Sequence, residues 1–501
     1  MSAILLDQAP LDLAGLLRIA RGEAHLAFGP TAQQRLAEGH ALLLRLIAAG
    51  EPVYGVTTGL GAAVDTQQAP ADDFQRRIPL GRAAGVGRLA SREEVRAILA
   101  VRLAGIAQGR SGMSPALAQS LLALLERGIH PELPLTGSLG ESDLAPLAHL
   151  GLTLLGEGWA EYRGERVSAR EALARCGLAV PAVVGKDGLA LVSANAASVG
   201  LGALLLDEVD QALDGSLAAL ALSCEGLRAN LSPFQPWAAR LRPAARQAGQ
   251  AEALLRLLLG SDLSRPGQAR RLQDPLSLRC GIAVQAAARH AWDGLRQSLE
   301  VELAGAGDNP ALIAEQDLLL ANANFDSTHL ALASEALGLA LSRLAVCSAE
   351  RVAKLLSPAS SELPRFLGRQ PGQAGLVAMQ RTAAALLAEI GQLANPMPAY
   401  CMPVAERVED YAGQALACVE KTRELARLLR LLTSIELLAA AQAVDLRDAI
   451  RLGAGTSLIH AAVRRRVATL EQDRPGAPDI QALDIWLGTG ELQRILRAVV
   501  Q

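Results

Sequence analysis

The stretch CVEKTRELARLLRLLTSIELLAAAQAVDLRDAIRL runs from Cys418 to Leu452 without a proline or a glycine. Its apolar residues recur at three- and four-residue intervals, which predicts one long amphipathic helix. AGLVAMQRTAAALLAEIGQLAN, 374–395, predicts a second, and HLALASEALGLALSRLAVCSAERVAKLL, 329–356, a third that is apolar on most sides. A helix of that last kind is expected to be buried inside a bundle. GSLAALALSCEGLRAN and QAEALLRLLLGS add two more, and strand patterns are few. A long apolar stripe must be buried against other helices, so the expected class is all-α, with a long central helical bundle. Aromatics are only 3% of the chain while half of it is apolar, so Ala, Leu and Gly must supply the packing surface and the helices lie close.

The first part reads differently. Its helical stretches are shorter, and glycine-rich loops punctuate it: YGVTTGLG, GRAAGVG, GSLGESD and GKDG. Such loops carry function more often than long helices do. The expected division is a loop-rich part over 1–200 and the helical bundle over 201–501.

The bulk numbers exclude several classes. The net charge of -3 comes with no basic stripe or tail, which argues against a nucleic-acid partner. The opening MSAILLDQAPLDLAGLLRIARG lacks the charged-then-apolar layout of a signal peptide. Apolar runs such as LALVSANAASVGLGALLLDEVD are broken by polar residues and glycine, so no membrane span is expected. Six cysteines without paired spacing suggest reduced thiols, and no His/Cys pattern suggests a metal. The expected setting is the cytoplasm, the expected ligand a small molecule, and no metal or other cofactor is expected.

Several polar motifs stand out from this background. Tyr54 lies among glycines in VYGVTTGLG, where backbone and ligand can approach closely. In QDPLSLRC, Gln273 and Arg279 sit together, and a guanidinium is a natural fork for a carboxylate. DNPAL and NANFDST, the latter with Asn324 and Phe325, are polar turns that read as caps when taken singly. MPVAERVEDYAGQ packs Glu406, Arg407, Glu409, Asp410 and Tyr411 into one cluster, which reads as a charged helix start. The most specific stretch is GSLGESDLAPLAHL, 137–150: a glycine turn, then Ser142 or Asp143 as the cap of a helix beginning at Leu144, with Pro146 in its first turn and His149 packed in the core. A helix start of this kind offers free N–H groups to an anion.

In this order, the motifs resemble the histidine and phenylalanine ammonia-lyase family. The likeness runs from YGVTTGLG through QRRIPLGRAAGVG, GSLGESDLAPLAHLGLTLLGEG, KDGLAL, LQDPLSLRC, GDNPALI and NANFDST to VEDYAGQALACVEKTRELARLL. It implies a helical fold and a homotetramer whose active sites combine residues of several copies. It also implies roles: Tyr54 as catalytic base or acid, Arg279 as the grip on the substrate carboxylate with Gln273 beside it, Glu409 facing an imidazole, and Asn324 and Phe325 as a wall of the pocket.

Members of the family build an electrophile, methylidene-imidazolone, from an Ala-Ser-Gly triplet followed by Asp-Leu. Here Gly140 is followed by Glu141, Ser142 and then Asp143-Leu144, so one residue is missing and Glu stands where Ala would be. Arg82 replaces a histidine before Ala-Ala-Gly, Ser193 replaces an asparagine, and Leu276 replaces a second tyrosine. The electrophile turns a primary amine into a better leaving group. Without it, elimination needs a nitrogen that already leaves well, such as a quaternary ammonium. The chain thus resembles the ergothionase branch, which eliminates trimethylamine from ergothioneine to give thiourocanate without that electrophile. The resemblance leaves two other readings: an ammonia-lyase acting on histidine or a related amino acid, and an inactive paralogue with a binding role. Glu141 stands where the electrophile would be, either facing the leaving nitrogen or capping the helix. Arg82 and Ser193 are the changed neighbours expected to touch substrate.

Overall fold

Helix boundaries are set by short-range signals that the side chains satisfy locally. In the computed structural model, which describes residues 2–68, 72–448 and 450–500, the helix Arg92–Ile106 opens on a full capping box. Ser91 accepts from the Glu94 N–H, and Glu94 accepts in return from the Ser91 N–H. Pro115–Arg127 starts with Pro behind a Ser114 cap and stops at Gly128, whose φ of 68° few other residues adopt.

The molecule is mostly helical, as expected, and its few strands form small pieces. Ser2–Leu6 pairs in parallel with Ala24–Phe28, and Val86–Leu89 pairs antiparallel with Pro134–Thr136. Ile129–Pro131, Trp159–Tyr162 and Glu165–Ser168 make a three-stranded sheet, and Ala311–Ile313 pairs with Leu318–Leu320.

The chain divides into two compact units. The first comprises Met1–Leu204, Leu295–Ser334 and Met397–Glu420; the second comprises Leu205–Gly294, Glu335–Pro396 and Lys421–Gln501. The first break thus falls close to the expected boundary at 200, but the chain then returns twice to the first unit. Glu409 therefore belongs with Tyr54 and Glu141, whereas Gln273 and Arg279 belong to the second unit. In the first unit the buried guanidinium of Arg102 meets Asp308 of the DNPAL motif at 2.8 Å, so that aspartate is an ion-pair partner. In the second, Glu436 is wholly buried, paired with Arg351 at 2.5 Å and with the Ser223 hydroxyl at 2.8 Å.

The long helices form where expected, with corrections. The stretch beginning at Cys418 lies in the helix Ala415–Asp445, which stops short of Leu452. Its last residue, Asp445, turns its carboxylate to His460, Arg464 and Thr469. The helix Thr328–Leu355 is not buried within one chain: Leu332, Leu339 and Val346, seven residues apart, are 64%, 41% and 44% exposed. Two helical stretches, Asp187–Leu227 and Thr328–Leu355, are long and apolar enough to cross a membrane, contrary to the expectation from broken runs. The most apolar part of the first is entirely buried in the protein, and the stretch is two helices, Asp187–Val192 and Ala196–Leu227, broken at Ser193–Asn195.

Candidate active site

The GSLGESD loop is held by its backbone on every side. Gly140 has a φ of 103°, and a Cβ there would come within 2.6 Å of the Gln414 nitrogen, so only glycine fits. Gln414 N–H donates to the Leu139 carbonyl at 2.8 Å, and the Ser327 hydroxyl donates to the Gly140 carbonyl at 3.1 Å. Ser142 takes a left-handed φ of 67°, and its N–H points to the Phe325 carbonyl at 3.4 Å.

Asp143 anchors the loop. It occupies the cap position of Leu144–Leu154, as the sequence suggests, yet its side chain does not cap that helix. Its fully buried carboxylate instead accepts from Ser198 N–H at 2.7 Å, Ser198 Oγ at 2.8 Å and Ser138 Oγ at 2.8 Å. Ser198 lies in the first turn of Ala196–Leu227, so the carboxylate serves the positive end of a different helix. The Asp143 N–H donates to the Ala194 carbonyl at 2.7 Å. Burial raises the Asp143 carboxyl above its ordinary value, and the Ser198 and Ser138 bonds oppose that.

Above this loop lies a cavity of about 240 Å³, lined among others by Arg82, Gly137, Ser138, Glu141, Val404 and Glu409. All belong to the first unit. Arg82 ends the helix Asp72–Arg82. Burial lowers its pKa, and the nearby Tyr54 and Glu409 oppose that. Glu409 arrives on a tight turn in which Ala405, Glu406 and Arg407 have φ values of 49°, 56° and 72°. The expected charged helix start is thus a left-handed turn, closed by the Val404 N–H bonding to the Glu409 carbonyl at 3.0 Å. Three consecutive left-handed residues with side chains are costly and cluster at sites where the surroundings impose them.

Glu141 stands out by an oxygen with no donor. Its Oε1 is buried and has no hydrogen-bond partner. Burial raises its carboxyl to about 7; a hydrogen bond from its own backbone opposes the rise, and the negative charges of Glu409 and Asp326 add to it. Behind the loop, burial also raises Glu302 to about 7; its partner is the Asn195 amide at 3.4 Å.

The cavity therefore brings together Arg82, Glu141 and Glu409. Tyr54 stands beside it: its hydroxyl accepts from Gly61 N–H at 2.9 Å, and a Cβ on Gly61 would lie 3.8 Å from Glu409 Oε1. Phe325 touches the loop through its backbone, while exposed Asn324 and buried Ser193 lie outside the cavity lining. Gln273 and Arg279 are bonded to each other within the second unit. The bond of Ser138 to nearby Asp143 escaped the sequence reading, as did the nearness of Asp326 to Glu141 and the clamp of Asp143 on Ser198, whose partners lie far along the chain. Among the described residues no group of acidic, His and Cys side chains could hold a metal ion.

Residues 11–465 match the model of the aromatic amino acid lyase family. The chain belongs to that family. It is 37% identical to a histidine ammonia-lyase of Symbiobacterium thermophilum over 98% of both chains. Its fold is similar to that of ergothionase from Treponema denticola, an ergothioneine-degrading enzyme solved with desmethyl-ergothioneine sulfonic acid. That likeness has a TM-score of 0.93 at 31% identity, over 98% of this chain and 99% of the other. A tyrosine aminomutase from Streptomyces globisporus is similar to the same degree, with a TM-score of 0.93 at 30% identity over 99% and 98% of the two chains. Relatives of such different names share this fold, so the reaction must be argued from the site.

Proposed function

We propose that this carbon–nitrogen lyase eliminates a tertiary amine from an α-amino-acid betaine, with trimethylamine from ergothioneine, giving thiourocanate, as the foremost reaction. The observation that carries this is the loop itself. Forming the family's electrophile requires the nitrogen of residue 143 to attack the carbonyl carbon of residue 141. Here that N–H is engaged at 2.7 Å with Ala194, and the residue carries a buried carboxylate held by Ser138 and Ser198. The residues present do not fit that group, and no step is assigned to it.

The chain's own groups suffice for a substrate whose nitrogen leaves unaided. Tyr54 oxygen takes a proton from the β-carbon; the C–H electron pair becomes the new double bond, and the Cα–N pair departs on neutral trimethylamine. Arg82 holds the carboxylate and the enolate-like charge that grows on it. Glu409 faces the N–H edge of the imidazole-2-thione, and Glu141 faces the trimethylammonium group. The likeness to ergothionase supports the same reading.

We further infer a homotetramer in the cytoplasm, in which Arg279 and Gln273 reach the substrate from another copy. The exposed row Leu332, Leu339 and Val346 supports association, since its seven-residue spacing suits helix-on-helix packing. Light scattering should give four chains per particle.

The test offers the protein ergothioneine, histidine betaine and histidine, and follows the new conjugated acrylate together with released trimethylamine or ammonia. Elimination from ergothioneine with equimolar trimethylamine is expected. In the Tyr54→Phe variant turnover should fall about 10²–10⁴-fold while ergothioneine still binds. Turnover of histidine, with an intact mass two waters short, would establish the ammonia-lyase reading instead. Binding without turnover of any of the three would favour a binding paralogue.

A further inference from the structure

The acid end of the cavity has a property that the reaction does not require. Glu141 Oε1 is enclosed and unpartnered. The groups that face it are Glu409 from the 404–409 turn and Asp326 from the segment before Thr328–Leu355, both acids. Along its own chain, Asp143 is turned away and saturated by serine donors. The cation lining the cavity, Arg82, is drawn to Tyr54 and Glu409. An ionised Glu141 would thus be a half-buried charge with one enclosed oxygen unpartnered, only its own backbone N–H to support it and two like charges nearby, a costly state that a carboxyl avoids by keeping its proton.

We propose that this end of the cavity exchanges a proton for a quaternary ammonium group: in acidic solution Glu141 keeps its proton while the cavity is empty, and it gives the proton up when a permanently charged trimethylammonium arrives. The O–H bond of Glu141 breaks, its electron pair stays on the carboxylate, and the proton passes to water. No redox partner is involved. A trimethylammonium group has no hydrogen to donate, so it can be paired only by a charge. The rise of the Glu141 carboxyl to about 7 through burial, and through Glu409 and Asp326, agrees with this geometry.

Glu141 then sets specificity. A neutral group of the same shape leaves the acid protonated and gains nothing, whereas a permanent cation gains a partner. Below about pH 7 the ligand must displace a proton, so affinity should rise about tenfold per pH unit until Glu141 is ionised in the free protein, and then level off.

This inference rests on reading the cavity as the seat of a quaternary ammonium acid, and its test is kept apart from turnover. Glycine betaine has no β-carbon and cannot undergo the elimination; 3,3-dimethylbutanoate is its uncharged isostere at the ammonium end. Both are titrated calorimetrically into the intact protein at pH 6 and pH 8.5, in pairs of buffers with different heats of protonation. Release of close to one proton per glycine betaine at pH 6 and close to none at pH 8.5 is expected, with none at either pH for the isostere. Glu141→Gln should release none and should bind the two ligands about equally, whereas Glu409→Gln should keep the release. Absence of binding, binding without proton release, or release that persists in Glu141→Gln would overturn the proposal. Proton-linked binding in a protein inert to ergothioneine would uphold this inference and sink only the assigned substrate. Turnover without proton release would do the reverse.

Discussion

Glu436 and Glu141 are both carboxylates at least partly withdrawn from bulk water, one in each unit. Glu436 is wholly buried and fully answered: Arg351 forks onto both oxygens and Ser223 adds a hydroxyl. Glu141 is only partly buried, yet its inner oxygen meets no donor and its neighbours are acids. On the proposed reading, the difference separates a carboxylate that specifies packing from one kept for a ligand. Burial alone does not mark a site; a partner missing from an otherwise saturated surrounding does.

The contrast can be broken most sharply at the satisfied end. Arg351→Ala leaves Glu436 buried and unpaired, and should cost about 3–5 kcal/mol of stability, read as a shift in the denaturation midpoint. A loss below about 1 kcal/mol would mean that water reaches the pair. Asp143→Asn keeps the shape of the loop anchor but cannot accept the same three charge-assisted bonds. Its cost should be about 1–3 kcal/mol, and turnover should fall with it because Glu141 loses its register. Unchanged stability would show that the clamp is not carried by that charge.

Glu141→Gln sharpens the other end, with the smallest effect on stability. Burial and acidic neighbours raise this carboxyl in the folded chain from the usual 4.5 to about 7. The folded protein therefore holds a proton that the unfolded chain has already lost across that window. Raising the pH through it destabilises the native state, and the loss is complete above about 7. Glutamine does not titrate, so the variant should melt slightly higher than the parent at pH 8 and alike at pH 4. Its turnover of ergothioneine should nevertheless drop about tenfold or more, the signature of a group kept for function at the expense of stability. Lower stability at pH 8 would show that Glu141 has a donor in the working assembly.

Much of the fold was legible because it rests on local signals. The 3.6-residue repeat after Cys418 needs only near neighbours; the Ser91 and Ser114 caps and Gly128 are equally local, though they were not singled out from the sequence. The resemblance named Arg82, Glu141 and Glu409 but left open whether Glu141 faces the site or caps the helix; all three line one cavity. What the sequence hid is long-range. Asp143 is written like the cap of its own helix but serves one that begins at Ala196. Glu409 reads as a helix start because nothing in VAERVED announces three left-handed residues. The face of Leu332, Leu339 and Val346 reads as core, since periodicity reports that a stripe is apolar and not which molecule covers it.

The Asp143 clamp also governs how this protein could be rewritten. Returning the missing residue, to rebuild Ala-Ser-Gly, is not a matter of adding length to a slack loop. The nitrogen that would close the ring is already tied to Ala194, and the neighbouring carboxylate is locked to the first turn of the helix from Ala196. An insertion must therefore re-register two helix starts at once. A loop secured in this way resists lengthening: an added residue has to break the Ala194 and Ser198 bonds before a new turn can form.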